Sequence, residues 1–429
     1  MINPTDLVDA QLGRVHMNAY TDSDVFHLEM RRIFYQTWIY VGHESEIASA
    51  GDYLTTYIGQ VPVIVSRDED DAVHVLINRC AHRGTTVCQQ ERGTANYFKC
   101  EYHGWVYDNK GALTGVSFAK GYGEGELGDA QQIGLQPVAK VGSYQGLIFA
   151  SLNPQVESLE DFLGNARPYI DDWAAQTADG VMQVESVTFQ HTFPGNWKLQ
   201  AENNTEGYHP DFLHQAAVRV QIHNSQRARA ARGEETGPPV RRKRVATAGA
   251  QGYDLGGGHN LIEVPQLAQL SRKRFPQEFI DELTQAYGAD RVDSLLGPPW
   301  RLTIFPSLAL AGSNIRVIQP LAPGESHVRQ SYVDLPTAPD EVREHRRVQE
   351  QGFYGPAGYG GPDDIEMFTR MQEGFRTAQA ASLDPWILFT RSANSEEVLD
   401  NGVRAASSTS EITQRAIYRG WAEYMGQEA

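Results

Sequence analysis

The chain has 429 residues, of which 41% are hydrophobic and 10% aromatic, enough to fill more than one hydrophobic core. Its formal net charge of −17 disfavours a general electrostatic attraction to nucleic acid or to anionic lipid. No apolar run reaches the roughly 18 residues that a membrane span requires, and the first residues lack the layout of a secretion signal, so the sequence predicts a cytoplasmic protein.

The predicted elements change character twice along the chain. From about Val8 to Tyr40 the pattern is helical, and from there to about Ser151 short alternating or β-branched runs predict strands. Beyond residue 155 strands and helices are mixed. This order predicts an α+β protein with a β domain before a larger mixed domain.

Two short segments each pair a cysteine with a histidine. Cys80 and His82 form C-x-H, and Cys100 and His103 form C-x-x-H after 17 intervening residues. Zinc motifs usually group like residues, whereas here each loop supplies one thiolate and one imidazole. A Rieske [2Fe-2S] cluster, with one iron held by two cysteines and the other by two histidines, needs this order. The third cysteine, Cys88, is predicted to be a small buried side chain, and a structural zinc site stays the alternative.

A second metal site is predicted further along the chain. His209 and His214 are five residues apart, which is about 140° around an uninterrupted helix, so one metal could bind both only if the helix is broken, as Pro210 predicts. Two histidines and a carboxylate form the facial triad of non-haem iron(II) oxygenases. Asp363 and Asp364 follow a glycine-rich stretch, where one aspartate can cap a helix and the other can bind iron. On its own, such an aspartate pair is commonly only a helix cap. The Cys/His quartet upstream favours a metal-binding role for it.

From about residue 25 to its end, the chain resembles the large (alpha) subunit of Rieske non-haem iron aromatic ring-hydroxylating oxygenases. The resemblance is carried by the two Cys/His loops, Asn196-Trp197-Lys198, the segment from Glu202-Asn203 to His214, the loop from Gly256 to His259, and the stretch from Gly355 to Asp364. It implies that one [2Fe-2S] cluster is held by Cys80, His82, Cys100 and His103. It also implies that one mononuclear Fe(II) is held by His209, His214 and Asp364, the second acid of its pair.

The resemblance implies the architecture as well. An N-terminal helical extension (1–38) is expected to pack on the catalytic domain, followed by an all-β Rieske domain (39–155) and a catalytic domain (156–429). In the catalytic domain a curved antiparallel sheet wraps round a long helix in a helix-grip arrangement. Family members usually carry an aspartate three residues before the first histidine, where it links that iron to the Rieske histidine of a neighbouring subunit. Glu206 stands there in this chain and is the predicted catalytic link; the alternative is an exposed helix glutamate.

The implied enzyme is a terminal oxygenase component, which uses O2 and external electrons to hydroxylate an aromatic ring, by cis-dihydroxylation or monohydroxylation. Gly123 to Gly128 spell G-x-G-x-x-G, but they follow no clear parallel strand and set two glutamates where a pyrophosphate would sit. A separate NAD(P)H-dependent reductase, with or without a ferredoxin, is therefore expected. The resemblance further implies a homotrimer or an α3β3 assembly with a small subunit. The alternative function is a Rieske electron-transfer or ligand-binding protein without oxygenase activity.

The chain is most similar in general appearance to oxygenases of aromatic carboxylates such as terephthalate, benzoate, salicylate or anthranilate. A carboxylate substrate favours an arginine in the pocket, and the candidates are Arg301, Arg316, Arg391 and Arg404. The predicted pocket walls are Leu213, Val218, Ile222, Phe305 and Tyr354. For each of these residues, an ordinary core or surface position is the alternative.

Overall fold

The computed structural model of the chain describes residues 3–9, 12–123, 127, 133–185, 189–231, 233, 249–265, 272–296 and 300–427. Contacts divide it into a large unit, Met1–Phe26 with Leu163–Glu428, and a small unit, His27–Phe162. These limits differ from the predicted domain boundaries at 38/39 and 155/156. Compact units need not coincide with functional domains, so those boundaries stay a prediction. None of the helices in the described ranges is both long and apolar enough to cross a bilayer. Most of the predicted loop at Gly123–Gly128 lies outside the described residues.

The small unit is built from antiparallel sheets, as the alternating sequence pattern predicts. Its described strands form one four-stranded and two three-stranded sheets. In sheet order these are Val73–Ile77, Val61–Arg67, Asp52–Ile58 and Arg92–Thr94; Leu113–Gly115, Val106–Asp108 and Tyr97–Lys99; and Lys140–Tyr144, Leu147–Ser151 and Ile39–His43. Its helical segments are Met30–Phe34, Glu44–Ile47, Ala119–Gly121 and Leu159–Leu163. The unit therefore relies on sheets, with short helical turns joining them.

The large unit contains one long antiparallel sheet of ten described strands. In order these are Gln183–Val184, Glu325–Asp334, Asn314–Ala322, Leu308–Ala311, Trp300–Ile304, His259–Glu263, Gln251–Gly256, Arg404–Ser407 and Glu397–Val398, with Phe189–Phe193 also paired to Glu325–Asp334. Its longer helices are Arg167–Ala174, Trp197–Asn204, Gln215–Ala231, Gln277–Tyr287, Asp340–Tyr354, Gly361–Ala380 and Ile412–Gly426. Shorter helical segments are Pro4–Leu7, Asn18–Thr21, Ser23–Glu29, Gly164–Ala166, His209–Asp211, Val292–Leu295 and Ala393–Ser395. The α+β class predicted from the sequence is confirmed.

The C-terminal helix, Ile412–Gly426, packs against the strands Gln251–Gly256 and His259–Glu263. Ile417 and Trp421 have no exposed surface, and truncating a buried tryptophan to alanine typically costs about 3–5 kcal/mol. Gly420 lies so close to the backbone of Gly258 that a Cβ there would come within 2.5 Å of it. The glycine-rich turn between the two strands therefore meets the helix backbone directly, and this contact sets how closely the helix and the two strands approach.

The first segment of the chain differs from its prediction. A helix is expected from about Val8, but Val8–Asp9 and Arg14–His16 are strands, and Arg14–His16 also pairs with Trp386–Leu388. Before Asn18 the described residues contain one short 3-10 helix, Pro4–Leu7, and the first α-helix begins at Asn18. Because the pairing partner lies more than 350 residues away in the sequence, the local helical pattern is overridden by a tertiary contact that it cannot reveal.

A buried carboxyl group joins this first segment to the core of the large unit. Glu202, on the helix Trp197–Asn204, accepts a hydrogen bond from the Tyr20 hydroxyl at 2.7 Å and another from the Tyr418 hydroxyl. Burial raises the pKa of Glu202 to about 7, although the hydrogen bonds from Tyr418 and Tyr20 and the charge of Lys198 oppose the shift. The cluster therefore holds a carboxyl group that is partly protonated near neutral pH.

This raised pKa predicts how stability depends on pH. Because the folded pKa of Glu202 lies above its value in the unfolded chain, its contribution is complete below about pH 4.5 and is lost as the pH rises through about 7. The size of the effect is on the order of 3 kcal/mol. We expect Glu202→Gln to lessen the fall in stability between about pH 5 and about pH 8, measured as urea unfolding midpoints. Glu423→Gln, an exposed change on the C-terminal helix, is the control, and an unchanged pH dependence in Glu202→Gln would contradict the prediction.

Candidate functional site

The two Cys/His loops of the small unit share one backbone pattern. In each loop the cysteine N–H donates to the carbonyl five residues later at 2.8 Å, and the cysteine carbonyl accepts from the glycine four residues later at 2.9 Å. The residues are Cys80, Gly84 and Thr85 in one loop and Cys100, Gly104 and Trp105 in the other. Both glycines have positive φ, 77° and 69°, a region that favours glycine. Each glycine thus lets the chain turn back within two residues after the histidine of its loop.

The loops bring their side chains together. The rings of His82 and His103 lie 4.5 Å apart between centroids, and Trp105 stacks on His82 at 4.8 Å. Nδ1 of His82 is buried and has no hydrogen-bond partner within the described structure. A buried imidazole nitrogen without a partner is costly unless a ligand or metal satisfies it. The pair of loops therefore fits a group that takes imidazole and thiolate ligands together.

Tyr107 adds a contact to the first loop that the sequence analysis did not identify. Its hydroxyl lies 3.2 Å from Cys80 Sγ and also accepts the Ala81 N–H. Burial disfavours ionisation of Cys80, but the hydrogen bonds from Tyr107 and from nearby backbone amides outweigh it and lower the pKa of this thiol. The lower pKa favours the thiolate, which is the form that binds metals. Cys88 is also buried, as predicted, but in a separate hydrogen-bonding environment beside Gln90.

In the large unit His209, His214 and Asp364 converge. One ligand atom from each can be chosen so that all lie within 4.8 Å of one another. Asp364 Oδ1 lies 3.2 Å from His214 Nε2 and 3.6 Å from His209 Nε2. Asn203 bridges the group, with its Nδ2 at 3.2 Å from Asp364 Oδ1 and 3.3 Å from His209 Nε2. Three such donors facing one point match the chemistry of a facial triad.

The chain around Pro210 makes this convergence possible. The helix Trp197–Asn204 ends before the site, His209–Asp211 is a short 3-10 turn, and a new helix starts at Gln215. The break at Pro210 is the one that the spacing of the histidines requires. Asp364 lies in the first turn of the helix Gly361–Ala380, while Asp363 Oδ2 is 3.6 Å from His214 Nδ1. Burial lowers the pKa of His214, but Asp364 and Asp363 together raise it overall.

Glu206 contacts the first histidine of this group directly. Its carboxylate accepts hydrogen bonds from the backbone N–H groups of Tyr208 and His209 and lies against His209 Nδ1. A carboxylate at Nδ1 fixes the tautomer and orientation of the ring, leaving Nε2 facing Asp364. Glu206 is thus only partly exposed and is engaged with the histidine, unlike a free helix glutamate.

A groove of about 680 Å³ opens beside Glu206 and His209. Its polar wall includes Glu202, Asn203, Tyr208, Glu411 and Gln414. Its apolar wall consists of Leu199, Phe212, Leu213, Met367, Phe368, Met371, Ile387, Leu388 and Phe389. Phe212 and Leu388 are each 59% exposed, so the groove has an apolar rim.

The predicted pocket residues fall in several places. Leu213 lines the groove, whereas Phe305 is buried between Trp197 and Tyr424, whose rings it contacts at 6.1 Å and 5.8 Å between centroids. Tyr354 lies at the end of the helix Asp340–Tyr354, under the guanidinium of Arg316. The side chains of Val218 and Ile222 lie outside the described part of the structure.

The two arginines assigned to the pocket are exposed and already have partners. Arg391 donates to the Thr409 carbonyl at 2.6 Å and stands over the Tyr208 ring, and Arg404 lies 3.8 Å from Glu396. Arg316 differs, because it is only 7% exposed and its Nε donates to Gln330 at 3.3 Å. It also lies 4.8 Å from the centroid of Tyr354, and no carboxylate within the described ranges forms a salt bridge with it.

Comparison with known proteins finds matches to two domain families. Residues 37–122 match the Rieske [2Fe-2S] domain, and residues 167–427 match the ring hydroxylating alpha subunit catalytic domain. The chain is 32% identical to the toluate 1,2-dioxygenase subunit alpha of Pseudomonas putida, over 84% of this chain and 79% of that protein. It is 31% identical to the anthranilate 1,2-dioxygenase large subunit of Acinetobacter baylyi, over 94% of this chain and 87% of that protein.

The fold is also found in solved structures. A naphthalene 1,2-dioxygenase with indole bound in its active site superposes with a TM-score of 0.82, covering 99% of this chain and 95% of that one at 23% identity. The chain therefore belongs to the ring hydroxylating oxygenase alpha subunits, Rieske-type enzymes that carry one [2Fe-2S] cluster and one mononuclear iron and hydroxylate aromatic rings.

Proposed function

We propose that this chain is the terminal oxygenase component for an aromatic carboxylate, and that His209, His214 and Asp364 bind its mononuclear iron. The observation that carries the proposal is the convergence of these three ligand atoms within 4.8 Å. Cys80, His82, Cys100 and His103 hold the [2Fe-2S] cluster, a role supported by the matched loops and the buried, unpaired Nδ1 of His82. When bound, iron(II) supplies open coordination positions for dioxygen, and the cluster supplies single electrons.

The chain's own residues prepare the iron site. Glu206 holds His209 by its Nδ1, so that Nε2 faces the metal position. Phe353 covers His214 from another side, with ring centroids 5.3 Å apart. The histidines are thereby oriented before a metal arrives.

Arg316 is the best candidate for binding the substrate carboxylate. A chain of ring contacts leads from His214 to Phe353, from Phe353 to Tyr354 at 4.7 Å, and from Tyr354 to Arg316 at 4.8 Å. A buried guanidinium without an anionic partner is unfavourable, and a carboxylate would pair with it bidentately. Toluate and anthranilate, named for two relatives, are aromatic carboxylates. The aromatic ring would lie between Arg316 and the iron ligands.

Electrons come from a separate NAD(P)H-dependent reductase, with or without a ferredoxin, and pass between copies of this chain in a homotrimer or an α3β3 assembly. The surface beside Glu206 supports docking of another copy, because Phe212, Met371 and Leu388 give it an exposed apolar rim. On the small unit, Tyr102 is also exposed and its ring contacts His103 at 3.8 Å. Two apolar surfaces next to two metal sites suit electron transfer across a subunit interface. The division into a Rieske domain (39–155) and a catalytic domain (156–429), with an extension at 1–38, is part of this proposal.

The iron ligands are tested by metal analysis. The intact chain should hold about three irons and about two acid-labile sulfides. Asp364→Asn removes a charged ligand and should lower the iron content by about one per chain while leaving the sulfide unchanged. Asp363→Asn, a matched change at the neighbouring residue, should keep all the iron. Zinc in the Cys/His loops, or full iron in Asp364→Asn, would refute the assignment.

Electron delivery is tested at Glu206. Glu206→Gln keeps the shape of the side chain but removes the charge beside His209 Nδ1, so both metal sites should be retained while transfer between them nearly stops. The measurement is the rate at which O2 and substrate reoxidise a reduced Rieske cluster in a single turnover. Glu411→Gln alters another carboxylate of the same groove and serves as the control. Normal coupled turnover in Glu206→Gln would rule out the role.

The carboxylate anchor is tested at Arg316. Arg316→Gln should raise KM for benzoate by roughly tenfold to a hundredfold, since a hydrogen bond to a charged group contributes about 1.5–3 kcal/mol. Turnover of an uncharged arene should change far less. Arg404→Gln is the matched control, because that arginine is exposed and lies near Glu396. Equal losses for benzoate and for the uncharged arene would count against Arg316 as the anchor.

A further inference from the structure

The cluster of Glu202, Tyr20 and Tyr418 has more hydrogen-bonding contacts than the two tyrosine hydroxyl hydrogens can fill. Three oxygen atoms, Glu202 Oε1 and the two tyrosine hydroxyls, lie within hydrogen-bond distance of one another in all three pairs. With Glu202 ionised, the two hydroxyl hydrogens can fill only two of these three contacts. A proton on the carboxyl group supplies the third hydrogen and lets each oxygen donate to the next. The geometry therefore favours a protonated cluster.

This cluster is buried but reaches the iron side of the large unit. Tyr20 and Tyr418 are almost fully buried, and Glu202 is 6% exposed. Glu202 nevertheless lines the groove that also contains Glu206 and His209. Its neighbour in the chain, Asn203, contacts His209 and Asp364. The Glu202 carboxyl group thus lies between the two buried tyrosine hydroxyls and the groove beside the iron ligands.

The surroundings allow the carboxyl group to lose its proton as well as to hold it. The Lys198 ammonium lies 5.4 Å from the centroid of the Tyr20 ring and opposes the effect of burial on Glu202. The C-terminal helix contributes Tyr418 and the uncharged Gln414, which donates to the Glu202 carbonyl at 3.0 Å. The helix Gly361–Ala380 contributes the Phe375 ring against Tyr20. The titratable groups that share the groove are Glu206, Tyr208, His209 and Glu411.

We propose that Glu202, with Tyr20 and Tyr418, stores a proton and releases it through water in the groove when dioxygen is reduced at the iron site. Dihydroxylation combines the arene, one O2, two electrons and two protons into a cis-dihydrodiol, and monohydroxylation uses the same electrons and protons to give a phenol and water. In either case the O–H bond of the carboxyl group breaks, its proton forms one new O–H bond, and Glu202 is left as a carboxylate. Solvent supplies the second proton and afterwards returns a proton to Glu202, and the reductase supplies both electrons. The inference rests on the proposed function for its reaction, but not for the existence of the proton store.

The store itself is tested by infrared titration of the purified protein. The carbonyl stretch of a protonated carboxylic acid should be present below neutral pH and should disappear as the pH rises through about 7. Glu202→Gln should remove this band. Tyr418→Phe should alter its frequency, because one hydrogen bond to Oε1 is lost. Glu263→Gln replaces another partly buried glutamate that faces a tyrosine, and it should leave the band in place. Absence of a band that depends on Glu202 would overturn the proposal whether or not the enzyme is active.

The use of the stored proton is tested in turnover. Glu202→Gln should keep its metal content yet form product about a hundredfold more slowly, the lower range for a lost proton donor. A larger share of the electrons should then appear as hydrogen peroxide. Glu263→Gln should behave like the unmodified protein. If Glu202→Gln has normal product yield per electron across the pH range, the role in turnover is wrong. If the unmodified protein oxidises no aromatic carboxylate but shows the band, the substrate class fails and the store stands.

Discussion

The iron side of the large unit depends on one interruption of the backbone. His209 and His214 would point about 140° apart on a continuous helix, so a single metal could not bind both. The turn His209–Asp211, which contains Pro210, removes that conflict and lets both rings face Asp364. Asp364 is positioned in turn because its helix begins at Gly361. The position of each proposed ligand is thus set by where a helix ends or starts, and Glu206 then fixes the orientation of the His209 ring.

The small unit solves a similar problem by different means. Its proposed ligands come from two loops between short strands, where no helix sets the direction of the side chains. Matched hydrogen bonds and a positive-φ glycine give both loops one shape. Buried aromatic residues then surround them, with Trp105 against His82 and Tyr107 against Cys80. Aromatic walls exclude water and lower the local dielectric, conditions that influence the reduction potential of a cluster.

The sequence could predict what local spacing determines. The Cys/His pairs and the break at Pro210 can be predicted because each depends on residues a few positions apart. The pocket is harder to predict, because Arg316 lies in a strand and Phe305 directly follows one. Which way a strand's side chains face depends on register, and a shift of one residue reverses it. Arg391 and Arg404 carry the same charge as Arg316, so the sequence does not distinguish the three. The structure does, because Arg391 and Arg404 are exposed and contact Thr409 and Glu396. The strand at Arg14–His16 was missed because its partner, Trp386–Leu388, lies at the other end of the chain.

The charges around the iron ligands divide the proposed reaction between two sides. On the side of His209, Glu206 and Glu411 give the groove negative charge, and the proposed proton donor Glu202 also lines it. On the side of His214, Phe353 and Tyr354 lead to the buried cation of Arg316. An anionic substrate would be repelled from the first side and attracted to the second. A carboxylate bound at Arg316 would therefore leave the groove beside Glu206 clear, so that substrate and reducing equivalents reach the iron by separate routes.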